Sequence, residues 1–320
     1  MNQNKKNYMK IILKPKLSNN YIVTIAIGEK YLKEWKSFAL PSWKVYCQKF
    51  DIGLIVFTKD LISNKNKKWK KATWQKLLIG NALETKIKKI ENICYLDTDI
   101  IISPIAPNIF NNFDIDCISL VSLRRNLPYD YDEVIKKVAF FRNLYYDKNY
   151  PLDSALFISI PDLYKYHNLT PVKDEACAGL FVFNIKKSDI LYNYFFEIES
   201  NIKSITGGGD QTHFNHFIQT NCKVTWLNYK YQAIWVFEIA AKYPFLYKNK
   251  DRYSRVVQNC IDASLLDNYF LHFAGSWHES NMWKKYDYKF SKQNEVIYNN
   301  FIKFKMKPSL GKPLGVIKPT

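Results

Sequence analysis

Short apolar runs rich in β-branched residues recur along the chain and alternate with amphipathic stretches, a pattern that predicts buried strands interleaved with helices. YIVTIAIG (21–28) is such a run, closed by glycine and followed by EKYLKEWKSFAL (29–40), whose apolar positions keep helical spacing up to Pro41. A second helical stretch ends near Phe50, GLIVFT (53–58) reads as another buried strand, and a lysine-dense loop follows. Across 71–85, Trp74, Leu77, Leu78 and Ala82 recur at three-to-four-residue spacing, which predicts a helix leading into the strand NICYL (92–96). CISLVSL (117–123) and AGLFVFNI (178–185) read as further buried strands, the latter followed by a helix capped by Ser188 and running to Ser200. GGGDQTHFNHF (207–217) reads as a glycine hinge opening a helix with Asp210 at its N-cap, and KVTWL (223–227) resumes strand character. Strands alternating with helices in this way specify an α/β fold.

Some segments fall outside the pattern. Residues 1–20 are polar and rich in Lys and Asn, and are expected to form a flexible basic leader, with the folded domain over 21–305 and a basic tail over 306–320. Residues 124–170 are aromatic and charged with weak periodicity, and read as an insertion over the sheet edge. No internal linker demands two domains, and no apolar run approaches the ~20 residues of a membrane span. The N-terminal apolar run stops at Leu13, before Lys14 and Pro15, too short for the core of a signal peptide. The six cysteines are scattered with no CxxC pair, so neither a zinc ribbon nor a disulfide framework is expected, and reduced thiols in a cytoplasmic protein fit best.

Composition adds constraints. With 47% hydrophobic and 16% aromatic residues, a chain of this length has ample material for a core, which excludes global disorder. The 47 Lys+Arg against 29 Asp+Glu leave a formal charge of +18, a field that attracts nucleic acid, anionic membrane surfaces or phosphorylated small molecules alike. The basic residues form no nameable nucleic-acid module, so nucleic acid is the less expected partner. Peripheral contact of the basic-aromatic tail with an anionic membrane stays open, without an amphipathic helix long enough to insist on it.

The strongest chemical signal is YLDTDIII, where Asp97 and Asp99 leave the end of an apolar strand with one residue between them. In open α/β sheets the ligand crevice lies outside the carboxyl ends of strands, and two carboxylates there can share a hard divalent cation that neutralises a diphosphate. A solvated turn is the bland alternative, but carboxylates held between two core segments are costly unless paired or metal-bound. In HFAGSWHESNMW, His272 follows an apolar run and Gly275 permits close backbone approach. Alone His272 reads as a core histidine, but with the Asp pair it becomes a candidate third ligand, better suited to Mn²⁺ than to Mg²⁺. Asp210 and Gln211 read either as the start of a helix or as hydrogen-bonding partners for sugar hydroxyls. Five lysines surround Trp69 over 65–71 and read as a solvated loop, whereas Lys76 is expected near the strand-end crevice, where it would offset phosphate charge.

Taken in order, these motifs resemble glycosyltransferases of the GT-A fold, in particular the family 8 group that includes glycogenin and bacterial lipopolysaccharide galactosyltransferases; the closing HFAG is similar to that of family 34 galactosyl- and xylosyltransferases. The resemblance spans Val23 to Gly275. It implies a Rossmann-like mixed sheet flanked by helices in a single domain. It implies that Ala26, Gly28 and Tyr31 surround the nucleotide base and that Lys76-Leu77 matches the family's Lys-Leu. Asp97, Asp99 and His272 would hold the metal, and Asp210-Gln211 would contact the sugar. Cys177-Ala178-Gly179 stands where the family has Asn, a small residue and Gly. His278 stands in place of a lysine three residues beyond Gly275, so diphosphate binding there would fall to His278 or Lys284.

The activity so implied is metal-dependent transfer of a sugar from a nucleoside-diphosphate donor, UDP foremost, to a glycan, lipid or protein hydroxyl with retention, with Mn²⁺ or Mg²⁺ as cofactor. Metal stabilisation of the leaving diphosphate would carry the main catalytic load. Asp210 would be a base or a donor-positioning group. A haloacid-dehalogenase phosphatase would carry its Asp-x-Asp near the chain start. A nucleotidyltransferase of sugar phosphates is the nearer rival, but AIGEKY is not the Gly-rich phosphate loop it would show after the first strand.

Overall fold

Each interior strand of the main sheet sends alternate side chains to opposite faces, and both faces are buried, so these strands read as near-continuous hydrophobic runs. A computed structural model describes residues 8–111, 113–145, 154–199, 209–248, 254–275 and 277–288. The strands are β1 (Met9–Leu13), β2 (Asn20–Ile25), β3 (Gly53–Phe57), β4 (Asn92–Leu96), β5 (Ile100–Ile102), β6 (Cys117–Ser122), β7 (Ala176–Asn184), β8 (Lys223–Leu227), β9 (Ala233–Ile234) and β10 (Phe270–His272). Seven form one mixed sheet in the order β1-β3-β2-β4-β7-β6-β8, and β5-β10-β9 form a second, small sheet. In β7, Leu180 and Val182 join one core while Phe181 and Phe183 join the other. Each such buried side chain contributes on the order of 1.5–3 kcal/mol.

The first core packs the sheet against the Leu40–Lys49 helix, the small sheet and the Ser254–Asp267 helix. The second packs it against the 72–84 segment and the Ser188–Glu197 and Gln211–Asn221 helices. The result is one α/β body with a seven-stranded mixed sheet flanked by helices, as the alternation predicts.

Several local expectations are corrected. Met9–Leu13, read as part of a loose leader, pairs antiparallel with β3, Met9 opposite Phe57. An edge strand contacts one neighbour and needs no long apolar signature. Within 124–170, whose weak periodicity predicts no element, the described residues form helices at Tyr131–Tyr145, Ser154–Phe157 and Ile160–Tyr166. In the first of these, Val134, Val138 and Arg142 face inward at four-residue spacing, and a buried arginine hides that stripe from a hydrophobicity reading. The predicted 71–85 helix is α-helical at Ala72–Gln75, tightens to a 3₁₀ turn at Lys76–Leu78 and resumes at Ile79–Glu84. Ser188 is the first residue of its helix rather than its cap; in the turn before it, the Asn184 side chain accepts from the backbone N–H of Lys186. Lys70 is not part of a solvated loop, because its ammonium is buried and donates to the carbonyl of Phe195 at 2.7 Å. The tail (306–320), most of the glycine hinge (207–208) and the leader's first seven residues lie outside the described residues.

All six cysteines are free thiols. Among the described residues no helix is long and apolar enough to cross a membrane.

Candidate metal and ligand site

Topology brings three chemically distinct segments to one point. The chain leaves β4 at Leu96, and its next residue, Asp97, donates its backbone N–H to the carbonyl of Gly179 on β7 at 2.8 Å. Three residues later it enters β5, whose Ile100 pairs with His272 on antiparallel β10. The Asp97-Thr98-Asp99 turn is thus the bridge between the two sheets, clamped further by the backbone N–H of Phe273, which donates to the Asp99 carbonyl. The Trp43 indole donates to the carbonyl of Ile100 at 2.7 Å and fixes β5 from behind.

His272 Nε2 lies 3.3 Å from Asp99 Oδ1 and 3.9 Å from Asp97 Oδ2. One ligand atom from each of the three residues lies within 4.8 Å of the others, the only such cluster among the described residues. The imidazole is buried while the carboxylates remain partly accessible, 38% for Asp97 and 26% for Asp99. A cation could therefore arrive from the carboxylate side onto a fixed nitrogen. Burial alone would lower the basicity of His272, but Cys177 and Asp99 beside it outweigh that and hold it well above its ordinary value. Tyr95 donates its phenol to Asp97 Oδ1 at 2.6 Å, and burial together with Asp97 pushes that phenol far up.

Gly179 faces this group. A Cβ there would fall 2.4 Å from His272 Cε1 and 2.7 Å from Asp97 Oδ2, so a side chain would occupy the space the donors surround. Two hard carboxylate oxygens, one borderline imidazole and a space kept clear by glycine suit a divalent cation that accepts mixed oxygen and nitrogen donors.

The cluster opens into a cavity of about 470 Å³. Lys76, Asp97, Asp99, Asp210, Gln211, His272 and Gly275 all line it. Lys76 Nζ ion-pairs with Asp210 at 2.7 Å and donates to the carbonyl of Ala178 at 2.5 Å, its side chain only 2% exposed. Asp210 stands at the N-cap position but makes no side-chain cap, because its carboxylate is engaged by Lys76. Burial raises its pKa above the ordinary carboxylate value, and Lys76 opposes the rise. The Gln211 amide donates to Glu175 at 2.8 Å.

Four other candidates do not line the cavity. Ala26 is buried at the end of β2, its N–H donating to the Phe57 carbonyl. Gly28 adopts φ 97°, and Tyr31 is 59% exposed on the following helix. These three leave the sheet at the same edge as Asp97, because β2 and β4 are parallel with Val23 beside Tyr95. His278 is exposed at the head of the Glu279–Lys285 turn, and Lys284, the alternative cation, is ion-paired with Glu34 at 3.0 Å.

Sequence reading passed over other residues of the site. Arg142 lines the cavity, ion-paired through Nη2 to buried Glu279 at 2.6 Å and lying over the Trp277 ring. His167 lines it from the end of the Ile160–Tyr166 helix. Gln232 and Cys177 contact the far nitrogen of His272. Arg142, His167 and Gln232 sit in no local motif and reach the site through long-range packing, whereas Cys177 belongs to the Cys177-Ala178-Gly179 segment already singled out in the sequence.

No family model matches the chain, and no curated protein matches it in sequence. Among solved structures, the chain is similar to a glycosyltransferase involved in the glycosylation of the major capsid of PBCV-1, with TM-score 0.45 and 11% identity over 83% of this chain and 98% of that one. It is similar to the glycosyltransferase GlyE of Streptococcus pneumoniae TIGR4, with TM-score 0.45 and 13% identity over 92% and 66% of the two chains. It is also similar to the galactosyltransferase LgtC in complex with donor and acceptor sugar analogues, with TM-score 0.42 and 12% identity over 88% and 95%.

Proposed function

We propose that the protein is a metal-dependent glycosyltransferase of GT-A type that moves a sugar from a nucleoside-diphosphate sugar, UDP foremost, to a hydroxyl of a glycan, lipid or protein. The observation that carries this reading is the convergence of Asp97, Asp99 and His272 on one wall of the cavity, outside the carboxyl end of a strand. The donor set fits Mn²⁺, with Mg²⁺ the less suited alternative.

Asp97, Asp99 and His272 would hold the metal. When bound, it would supply positive charge to the diphosphate as the bond to the anomeric carbon breaks. Lys76 holds the Asp210 carboxylate and the Ala178 carbonyl in fixed positions on the cavity wall. Asp210 and Gln211, so fixed, would orient the donor sugar through its hydroxyls. Gly275, at φ 98°, lets the backbone approach the donor closely. Ala26, Gly28 and Tyr31 would receive the base at the same sheet edge, with Tyr31 the stacking ring. His278 would reach the diphosphate from the turn that follows Gly275.

Retention is favoured by the carboxylates. Those lining the cavity among the described residues are Asp97, Asp99 and Asp210. With two committed to the metal and the third held by Lys76, none stands free as the acceptor base an inverting transfer would need.

The test is the melting temperature of the purified protein against nucleotide sugars and nucleoside diphosphates, with and without Mn²⁺. A ligand that binds only the folded state at 100 times its Kd adds about 2.7 kcal/mol. A Mn²⁺-dependent rise with one nucleotide supports the reading and names the base. No rise with any nucleotide, and a rise with oligonucleotides at low salt, overturns it in favour of nucleic-acid binding.

A further inference from the structure

We propose that Gln232 sets the tautomer of His272 and is thereby a positioning residue of the metal site, an inference that rests on the metal-dependent reading above. The two ring nitrogens of His272 face different surroundings. Nε2 points at the carboxylates of Asp99 and Asp97. Nδ1 lies 3.2 Å from the Gln232 amide nitrogen and 3.5 Å from the Cys177 sulfur.

A ring nitrogen ligates a cation only through its lone pair, so ligation by Nε2 requires the ring proton on Nδ1, and that proton needs an acceptor. Gln232 is 3% exposed, and its carbonyl oxygen is buried with no hydrogen-bond partner. A half-turn of the amide brings this oxygen to Nδ1. With the NH₂ group toward Nδ1, that nitrogen can only accept, and the ring proton sits on Nε2, facing Asp99. One side chain thus serves both tautomers, donating in one and accepting in the other. Cys177, the other neighbour, offers only a weak acceptor.

The backbone explains how Gln232 comes to stand there. It ends the Tyr229–Gln232 turn and leads directly into β9, which pairs in parallel with β10, Ile234 beside His272. The glutamine is delivered to the ring by the small sheet that also carries the histidine.

The experiment measures Mn²⁺ affinity by electron paramagnetic resonance of the free ion for the wild type, Gln232→Met, Gln232→Glu and Asp99→Ala. Methionine keeps the volume and removes the acceptor, and is expected to weaken Mn²⁺ binding about 10–100-fold. Glutamate accepts through either oxygen and is expected to bind at least as tightly as wild type. A packing role predicts the opposite order, because a buried carboxylate disrupts a core more than methionine does. Wild-type affinity in Gln232→Met, or weaker binding by Gln232→Glu than by Gln232→Met, overturns the proposal while leaving the metal site intact. Equal, negligible Mn²⁺ binding by the wild type and Asp99→Ala overturns the metal reading and this proposal together. Should the Gln232 variants fail to fold, ¹⁵N spectra of the wild type with Cd²⁺, which has no unpaired electrons, decide the matter. At saturation the His272 ring must carry its proton on Nδ1 with the shift of a hydrogen-bonded N–H; an Nε2–H, or an Nδ1–H with the shift of an unbonded N–H, overturns the proposal.

Discussion

His272 Nε2 stands 3.3 Å from Asp99 Oδ1 because β10 lies antiparallel to β5, with His272 opposite Ile100, the residue that follows Asp99. Residues far apart in the chain become neighbours through one register, and a one-residue slip would turn the imidazole to the other face of the small sheet. The site is therefore as rigid as the pairing that makes it, with Ile100, Ile101, Ile102 and Leu271 all buried around it.

The Asp99 carboxylate faces the His272 imidazole and is partly exposed, so its loss should spare the fold. Asp99→Ala is expected to melt within a few degrees of wild type yet lose Mn²⁺-dependent nucleotide stabilisation. The affinity loss should exceed the roughly 10–100-fold that removal of an outer-shell partner costs. Isothermal titration with Mn²⁺ and a nucleoside diphosphate checks this; unchanged binding would remove Asp99 from the site.

Gly179→Ala tests the space between the donors. The added Cβ must displace either the His272 ring, which is buried, or the Asp97 carboxylate, which is partly free to move. Overpacking of this kind costs about 1–3 kcal/mol. The variant should therefore melt lower and bind Mn²⁺ more weakly, whereas wild-type Mn²⁺ affinity would mean that the cation sits elsewhere.

How far the sequence anticipates this architecture depends on whether the signal is local. The runs Ile22–Ile25, Leu54–Phe57 and Ile93–Leu96 are apolar on both faces, and as strands they are readable without a partner. Asp97 and Asp99 were legible for the same reason, since polar residues closing such a run stand out. His272 was only half legible: it follows an apolar run, but its approach to Asp99 depends on β5–β10 pairing, which no local pattern encodes. Gln232 and Arg142 carry no signature at all, because each reaches the site from an element that sequence reading did not place there. The 3₁₀ turn at Lys76–Leu78 was hidden because its short apolar spacing does not differ from that of an α-helix, and the contacts of Lys76 with Asp210 and Ala178 are tertiary.

Lys76 and Asp210 form a buried ion pair, and single removals should hurt more than joint removal. Lys76→Met leaves a buried carboxylate without its counter-charge, and Asp210→Leu does the same to the ammonium. Each is expected to cost about 3–5 kcal/mol, while the double variant should cost much less than their sum. A double-mutant cycle by urea unfolding measures the coupling; additive losses would show that the two side chains act independently.

Acid should unfold the protein through a histidine cluster outside the metal site. His213 packs edge-on against His167 at 5.4 Å, and His216 bonds Thr170. Burial first, then the neighbouring histidines, lowers His213 to about 4, and burial lowers His167 and His216 in the same direction. A base whose folded value is depressed binds protons more readily in the unfolded chain, so its contribution is intact above pH ~6.5 and is lost as pH falls toward about 4. Wild-type melting temperature should therefore drop between pH 7 and pH 5, and His213→Gln, which cannot titrate, should show a shallower drop over the same window. Parallel pH profiles for the two proteins would mean that His213 does not carry the acid sensitivity and that carboxylates elsewhere do.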